Sequence, residues 1–342
     1  MSKSFWVGMG IIFLSGSAYG VFAIPLKYSR RWRWENTWLL FSLFSLVILP
    51  WILAIGFVPQ LPALFSDTPS RFLLLPLGFG FILGFAQVAY GLGIVSVGIS
   101  IAVSVVSGVS CVTGALVPLL VLQPSDLLRP KGILLLVSMP ILLAGVALYG
   151  MAGRRRENEQ SGLASEAHAY PRGLRSGLAI CIFTGIFGSS INLGFAFSGE
   201  FIRKSLELGG NSTTSTFAVW TLVFGASFIP NLAYCSFLLF RNRGWSRFLA
   251  QGWTKEAALA IGMAVLSLGA FIGYGRGAIV MGRYGTSVGW ALFVAATVVA
   301  SNLAGLIMGE WEGTSQHTRR LLFAAVAVLL ATVAILDLGG IF

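Results

Sequence analysis

Ten continuous apolar runs follow one another along this chain, each about 20 residues long, the length at which a helix crosses the hydrocarbon core of a bilayer. They lie at Phe5–Leu26, Thr37–Val58, Phe72–Leu92, Ile94–Leu122, Ile133–Met151, Leu174–Phe197, Thr214–Phe240, Ala257–Tyr274, Thr286–Met308 and Leu321–Leu338. An outer-membrane barrel would alternate apolar and polar residues in segments of about 10; these runs do not alternate. Charged residues are 10% of the 342, against about 25% in soluble domains, and most cluster between the runs. That excludes a water-soluble protein, and the composition also excludes disordered, collagen-like and disulfide-stapled chains. The expected fold class is all-α, a polytopic membrane protein of ten transmembrane helices.

The net charge is +11. On a soluble protein it would point to nucleic acid; here basic connectors facing anionic lipid account for it, and no nucleic-acid partner is expected. Fifteen Lys and Arg fall in the odd-numbered connectors and eight on the other side with the N-terminus. The odd connectors are therefore expected in the cytoplasm and both termini outside. Lys3 and the small residues Ser15-Gly16-Ser17 have the look of a signal peptide, but the first run continues to Leu26 and meets a basic cluster, so a retained helix is expected.

The longest polar stretch, Gly153–Gly173, has five runs on either side. Five is odd, so the second half starts from the opposite face, and two homologous halves would be inverted relative to each other. This divides the chain into a five-helix repeat at 1–152, a connector at 153–173 and a second repeat at 174–342. Tyr90-Gly91 in the third run and Tyr274-Gly275 at the eighth match in span number, and a glycine-containing turn follows each, near Gly98 and Gly285.

Cys111, Cys181 and Cys235 lie inside apolar runs, and His168 and His317 in polar connectors. Their spacing gives no disulfide or metal site, and no cofactor is expected. No zinc, phosphate-loop or Ser/His/Asp pattern is present, so an enzyme is not expected.

The first connector reads Pro25-Leu26-Lys27-Tyr28-Ser29-Arg30-Arg31-Trp32-Arg33-Trp34-Glu35-Asn36-Thr37-Trp38. This P-x-K-x-x-x-x-W-x-W-E-x-x-W pattern resembles the start of the L-rhamnose–proton symporter family, within the drug/metabolite transporter superfamily. Gly84 to Tyr90-Gly91, Asn231-Leu232 and Gly309-Glu310-Trp311 resemble it too. The resemblance implies ten helices in two inverted halves in a bacterial inner membrane, with a methylpentose and a proton as partners besides the lipid bilayer. Where the enteric members carry a Gln-Tyr-Asp stretch in the eighth connector, this chain reads Gly282-Arg283-Tyr284-Gly285-Thr286. A transporter or exporter of another small polar metabolite is the second reading.

A sugar site needs uncharged donors and acceptors with aromatic faces near the midplane. Ser17, Gln87, Asn192, Asn231 and Asn302 are the polar candidates inside spans; Tyr19, Tyr90, Tyr274 and Trp290 are candidate aromatic walls. Buried amides also join helices to one another, and both uses stay open. Ser100, Ser104, Ser107, Cys111, Gly114 and Pro118 recur every three or four residues, a small-residue face suited to close packing or to a smooth wall. For the proton, Glu35 at the start of the second run and Glu310 after the ninth are the candidates, with pairing of Glu35 to its basic neighbours the expected structural use.

Overall fold

The structure, a computed structural model, describes residues 3–160 and 174–338. The rest of the long connector, with His168 and Arg172, lies outside the described residues. All ten expected spans are helices long and apolar enough to cross a membrane: α1 Lys3–Tyr28, α2 Trp34–Phe57, α3 Ser70–Val97, α4 Ile99–Leu122, α5 Gly132–Gln160, α6 Arg175–Glu207, α7 Ser212–Arg241, α8 Trp253–Tyr284, α9 Val288–Ile307 and α10 Gln316–Leu336. Large apolar side chains such as Leu14, Ile55, Phe240 and Ile307 stand exposed on the outside of the bundle, the surface a bilayer would cover.

Several boundaries differ from the sequence reading, among them the end of the sixth helix, which reaches Glu207 and not Phe197. The third helix does not end at Tyr90-Gly91 but runs to Val97 and breaks at Gly98, whose φ of +84° suits only glycine. The fourth therefore starts at Ile99, not Ile94. The eighth continues past Tyr274 to Met281 and breaks at Gly282, at φ +72°. The fifth runs on through Arg154–Arg156 to Gln160, so the polar connector begins as helix. Arg, Glu and Gln are good helix formers, so the charged stretch continues the helix. The sixth helix is interrupted at Ser189 and again at Ser198.

Most of the close helix contacts follow one rule. Helix α1 lies against α8 and α9, and α6 lies against α3 and α4. Helix α3 meets α7, and α8 meets α2; α4 meets α5, and α9 meets α10. Further contacts join α5 to α10, α4 to α9 and α2 to α7. Exchanging every helix with the one five places along maps these pairs onto one another. The tightest crossings rest on glycine. A Cβ at Gly80 or Gly84 of α3 would stand 2.1 Å or 2.5 Å from a carbonyl oxygen of α7, Val223 or Ser227 respectively. Small residues in this spacing let two membrane helices approach backbone to backbone.

Candidate substrate cavity

A cavity of about 550 Å³ sits at the centre of the bundle. Its inner end is aromatic. Trp290 and Phe293 stack at 5.6 Å and 13°, and Tyr19 and Phe271 pack on Phe293 at 5.6 Å and 5.5 Å. From there it runs past Gln87, Tyr90 and Tyr149 to Lys27, Arg156 and Glu310. Those last three lie where α1, α5 and α9 end, the face of the odd-numbered connectors. No lining residue belongs to an even-numbered connector. The cavity thus opens toward one face of the bundle alone.

The wall is apolar with a scatter of uncharged polar groups: Gln87, the phenols of Tyr19, Tyr90 and Tyr149, and serines on several helices, among them Ser45, Ser107, Ser110 and Ser267. This composition suits a neutral solute with hydroxyls and a C–H face. Gln87 and Tyr90 are three residues apart on α3 and share the cavity-facing side. The small-residue face of α4 is divided in use. Ser100 and Ser107 line the cavity, while Ser104 packs on Gly150, where a Cβ would stand 2.4 Å from its Oγ. Gly114 makes room for the Trp290 ring.

The other polar candidates lie behind the wall. Asn231 is buried; its Nδ2 donates to Gln87 Oε1 at 2.5 Å, and its Oδ1 accepts from Trp38 Nε1 at 3.2 Å. Asn192 donates to the carbonyls of Gly114 and Thr286 at 2.7 Å and 2.8 Å and accepts from the Tyr274 hydroxyl. Asn192 and Tyr274 are therefore a buried joint between α6, α4 and α8. Ser17 donates to Phe13 O within its own helix at 2.9 Å. Asn302 does the same to Val298 O at 2.6 Å, with its Oδ1 buried and unmatched by a protein donor among the described residues. Trp290 is in the wall, with its indole N–H committed to Ser110 O at 3.0 Å and its ring stacked on Phe293.

Residues 1–341 match the family described as L-rhamnose-proton symport protein (RhaT). The chain belongs to the L-rhamnose–proton symporter family. Curated relatives named L-rhamnose-proton symporter include those of Mannheimia succiniciproducens and Pectobacterium atrosepticum, each 25% identical. The protein of that name from Escherichia coli O9:H4 is 23% identical. In all three the alignment covers 99% of this chain and 99% of the relative. With its ten apolar helices, this member of a bacterial symporter family is a multi-pass protein of the inner membrane.

In this symporter-family fold the W-x-W-E-x-x-W segment is a joint between the first and seventh connectors. Trp32 Nε1 donates to Arg247 O at 2.9 Å and Asn36 Nδ2 to Gly244 O at 2.9 Å. Glu256 at the start of α8 accepts from the backbone N–H of Arg30 and Arg31 and from Ser29 Oγ. Glu35 was expected to pair with its basic neighbours. Instead it is buried and accepts from Asn242 Nδ2 at 2.9 Å, and no ion pair involves it among the described residues. The helix turns Glu35 toward the seventh connector, whereas Arg33 precedes the helix and donates to Asn242 O at 3.2 Å. Of this motif only Trp38 reaches the cavity.

Glu310 is the one carboxylate in the cavity lining among the described residues. It bridges Lys27 of α1 and Arg156 of α5, the latter at 2.9 Å, and Arg156 stacks on Trp311 at 4.8 Å. The closed face has an ion-paired group of its own, which sequence reasoning missed. Asp126, fully buried between α4 and α5, pairs with Arg283 at 2.7 Å and Arg129 at 3.2 Å. Gln123 donates to the Arg283 carbonyl. The eighth-connector stretch that departs from the enteric pattern is thus placed at this closure, outside the cavity wall.

Proposed function

We propose that this protein imports L-rhamnose, or a closely related methylpentose, together with a proton, by alternating access of two inverted five-helix repeats at 1–152 and 174–342. The observation that carries the reading is the central cavity: an apolar and aromatic wall with scattered uncharged polar groups, charged only at its mouth and open toward one face only, in a chain of this family. The pairwise packing that repeats with a shift of five helices supports the two-repeat organisation. The excess of Lys and Arg in the odd connectors supports a cytoplasmic opening with both termini outside.

In this account Gln87, Tyr90 and the Trp290 face contact the sugar, and Asn231 acts from behind Gln87. Asn192 and Tyr274 hold the wall in place, and Ser17 and Asn302 serve their own helices. Glu310 carries the coupled proton. In the conformation seen here it is salt-bridged to two cations, the state of a site that has delivered its proton to the cytoplasmic side. Glu35 is a structural group of the connector joint. The test is counterflow in proteoliposomes with a panel of labelled sugars. L-Rhamnose should exchange, and competition should fall off with distance from the methylpentose pattern. A protein that exchanges none of the panel contradicts the reading and returns the substrate to the wider superfamily.

A further inference from the structure

The amide of Gln87 has two chemically opposite ends, and three neighbours dictate which one the cavity meets. An indole N–H can only donate. Trp38 Nε1 points at Asn231 at 3.2 Å, so the Asn231 atom there is the carbonyl oxygen. The Asn231 NH₂ must then face the other way. One of its hydrogens goes to Ser227 O at 2.9 Å, a carbonyl that can only accept, and the other to Gln87 at 2.5 Å. That contact needs an acceptor, so Gln87 turns its carbonyl oxygen to Asn231. Its NH₂ is left on the cavity side, where it has no protein partner among the described residues and is not closed off from the cavity space. Trp38 is itself held by stacking on Trp34 at 5.3 Å and 16°.

We propose that Asn231 is a positioning residue that fixes the Gln87 amide with its donor end toward the sugar, so that this point of the site recognises a sugar oxygen by its lone pairs. The relay rests on the transport reading above and deepens it by setting the polarity of one contact. At the ring position that Gln87 meets, a hydroxyl replaced by fluorine keeps an acceptor, and a hydroxyl replaced by hydrogen does not. An Asp at position 231 would change the sense of the relay. Its oxygens accept on both sides, so Gln87 would turn its NH₂ inward to Asp and show its carbonyl to the cavity.

The experiment uses the purified full-length protein and displacement of labelled L-rhamnose by its mono-deoxy and mono-fluoro-deoxy analogues. The wild type should show one ring position at which the fluoro analogue competes better than the deoxy analogue. Gln87→Leu should weaken L-rhamnose binding about 5- to 150-fold, the range for one lost polar partner, and erase that preference. Asn231→Asp should abolish or invert the preference at the same position. The double variant should bind no more than about twofold more weakly than Gln87→Leu alone, because Asn231 acts only through Gln87. If Asn231→Asp does not fold, Asn231→Leu takes its place, since it removes the NH₂ that holds the Gln87 carbonyl. A retained fluoro preference in the position-231 variant overturns the proposal, as does an additive loss in the double variant, while sugar binding itself stands. A wild type that binds no sugar overturns the transport reading and this proposal with it.

Discussion

At the scale of single residues, position relative to the cavity separates the candidate carboxylates. Glu310 lines it and Glu35 does not. Replacing Glu310 by Gln removes the one carboxylate of that lining among the described residues that can hold a proton. The expected outcome is loss of accumulation driven by a pH gradient, with sugar exchange at equal pH retained; accumulation at the wild-type level would count against Glu310. Glu35→Gln keeps a carbonyl oxygen for the Asn242 amide, so accumulation should stay within about twofold of wild type, on the scale of a surviving neutral hydrogen bond. Gln87 and Tyr90 were legible as a pair because helical periodicity puts residues three apart on one face. The role of Asn231 was not. It depends on which side of the wall an amide stands, and on a partner from α2 that no spacing along the chain reveals.

At the scale of elements, two features carry expected outcomes. Helix α3 crosses α7 with glycine at the contact, and a side chain at Gly84 would run into the Ser227 carbonyl and the Pro230 ring. Gly84→Val should lower thermal stability in detergent by an amount equivalent to about 1–3 kcal/mol, the usual cost of forcing volume into a packed interface; an unchanged melting temperature would contradict that crossing. At the closed face, Arg283→Met leaves the buried Asp126 carboxylate with Arg129 as its one ion-pair partner among the described residues, beside the Tyr284 hydroxyl, and should destabilise the protein strongly. Adding Asp126→Asn should restore part of the loss, because an uncompensated buried charge costs more than an absent pair. Melting curves of the single and double variants decide it. The sequence placed all ten spans but set the ends of α3, α5, α6 and α8 short. Glycines after Tyr90 and Tyr274, and charges after Met151, look like helix ends in a chain read one run at a time. In the fold the glycines are tolerated inside long helices, and Arg156 is carried on the helical extension of α5 to the cavity mouth.

At the scale of the whole molecule, the proposed five-and-five arrangement is suggested by the parity of the spans, and much of the helix packing pairs up in the same sense. The orientation proposed from the basic connectors has a direct check. A cysteine at Ser2 or Gly340 should react with an impermeant maleimide in intact cells, and one at Ser161 should not; the reverse pattern would turn the molecule over. What the sequence could not supply is which face of the bundle is open. That depends on ion pairs between distant segments, Lys27 and Arg156 with Glu310 at the mouth and Asp126 with Arg283 at the closure. The central claim is that this cavity moves a methylpentose with a proton, and the most direct measurement is uptake of labelled L-rhamnose into proteoliposomes under an imposed pH gradient, acid outside. The account predicts transient accumulation above the external concentration, abolished by a protonophore. Uptake that never exceeds equilibrium, or that ignores the gradient, would contradict it.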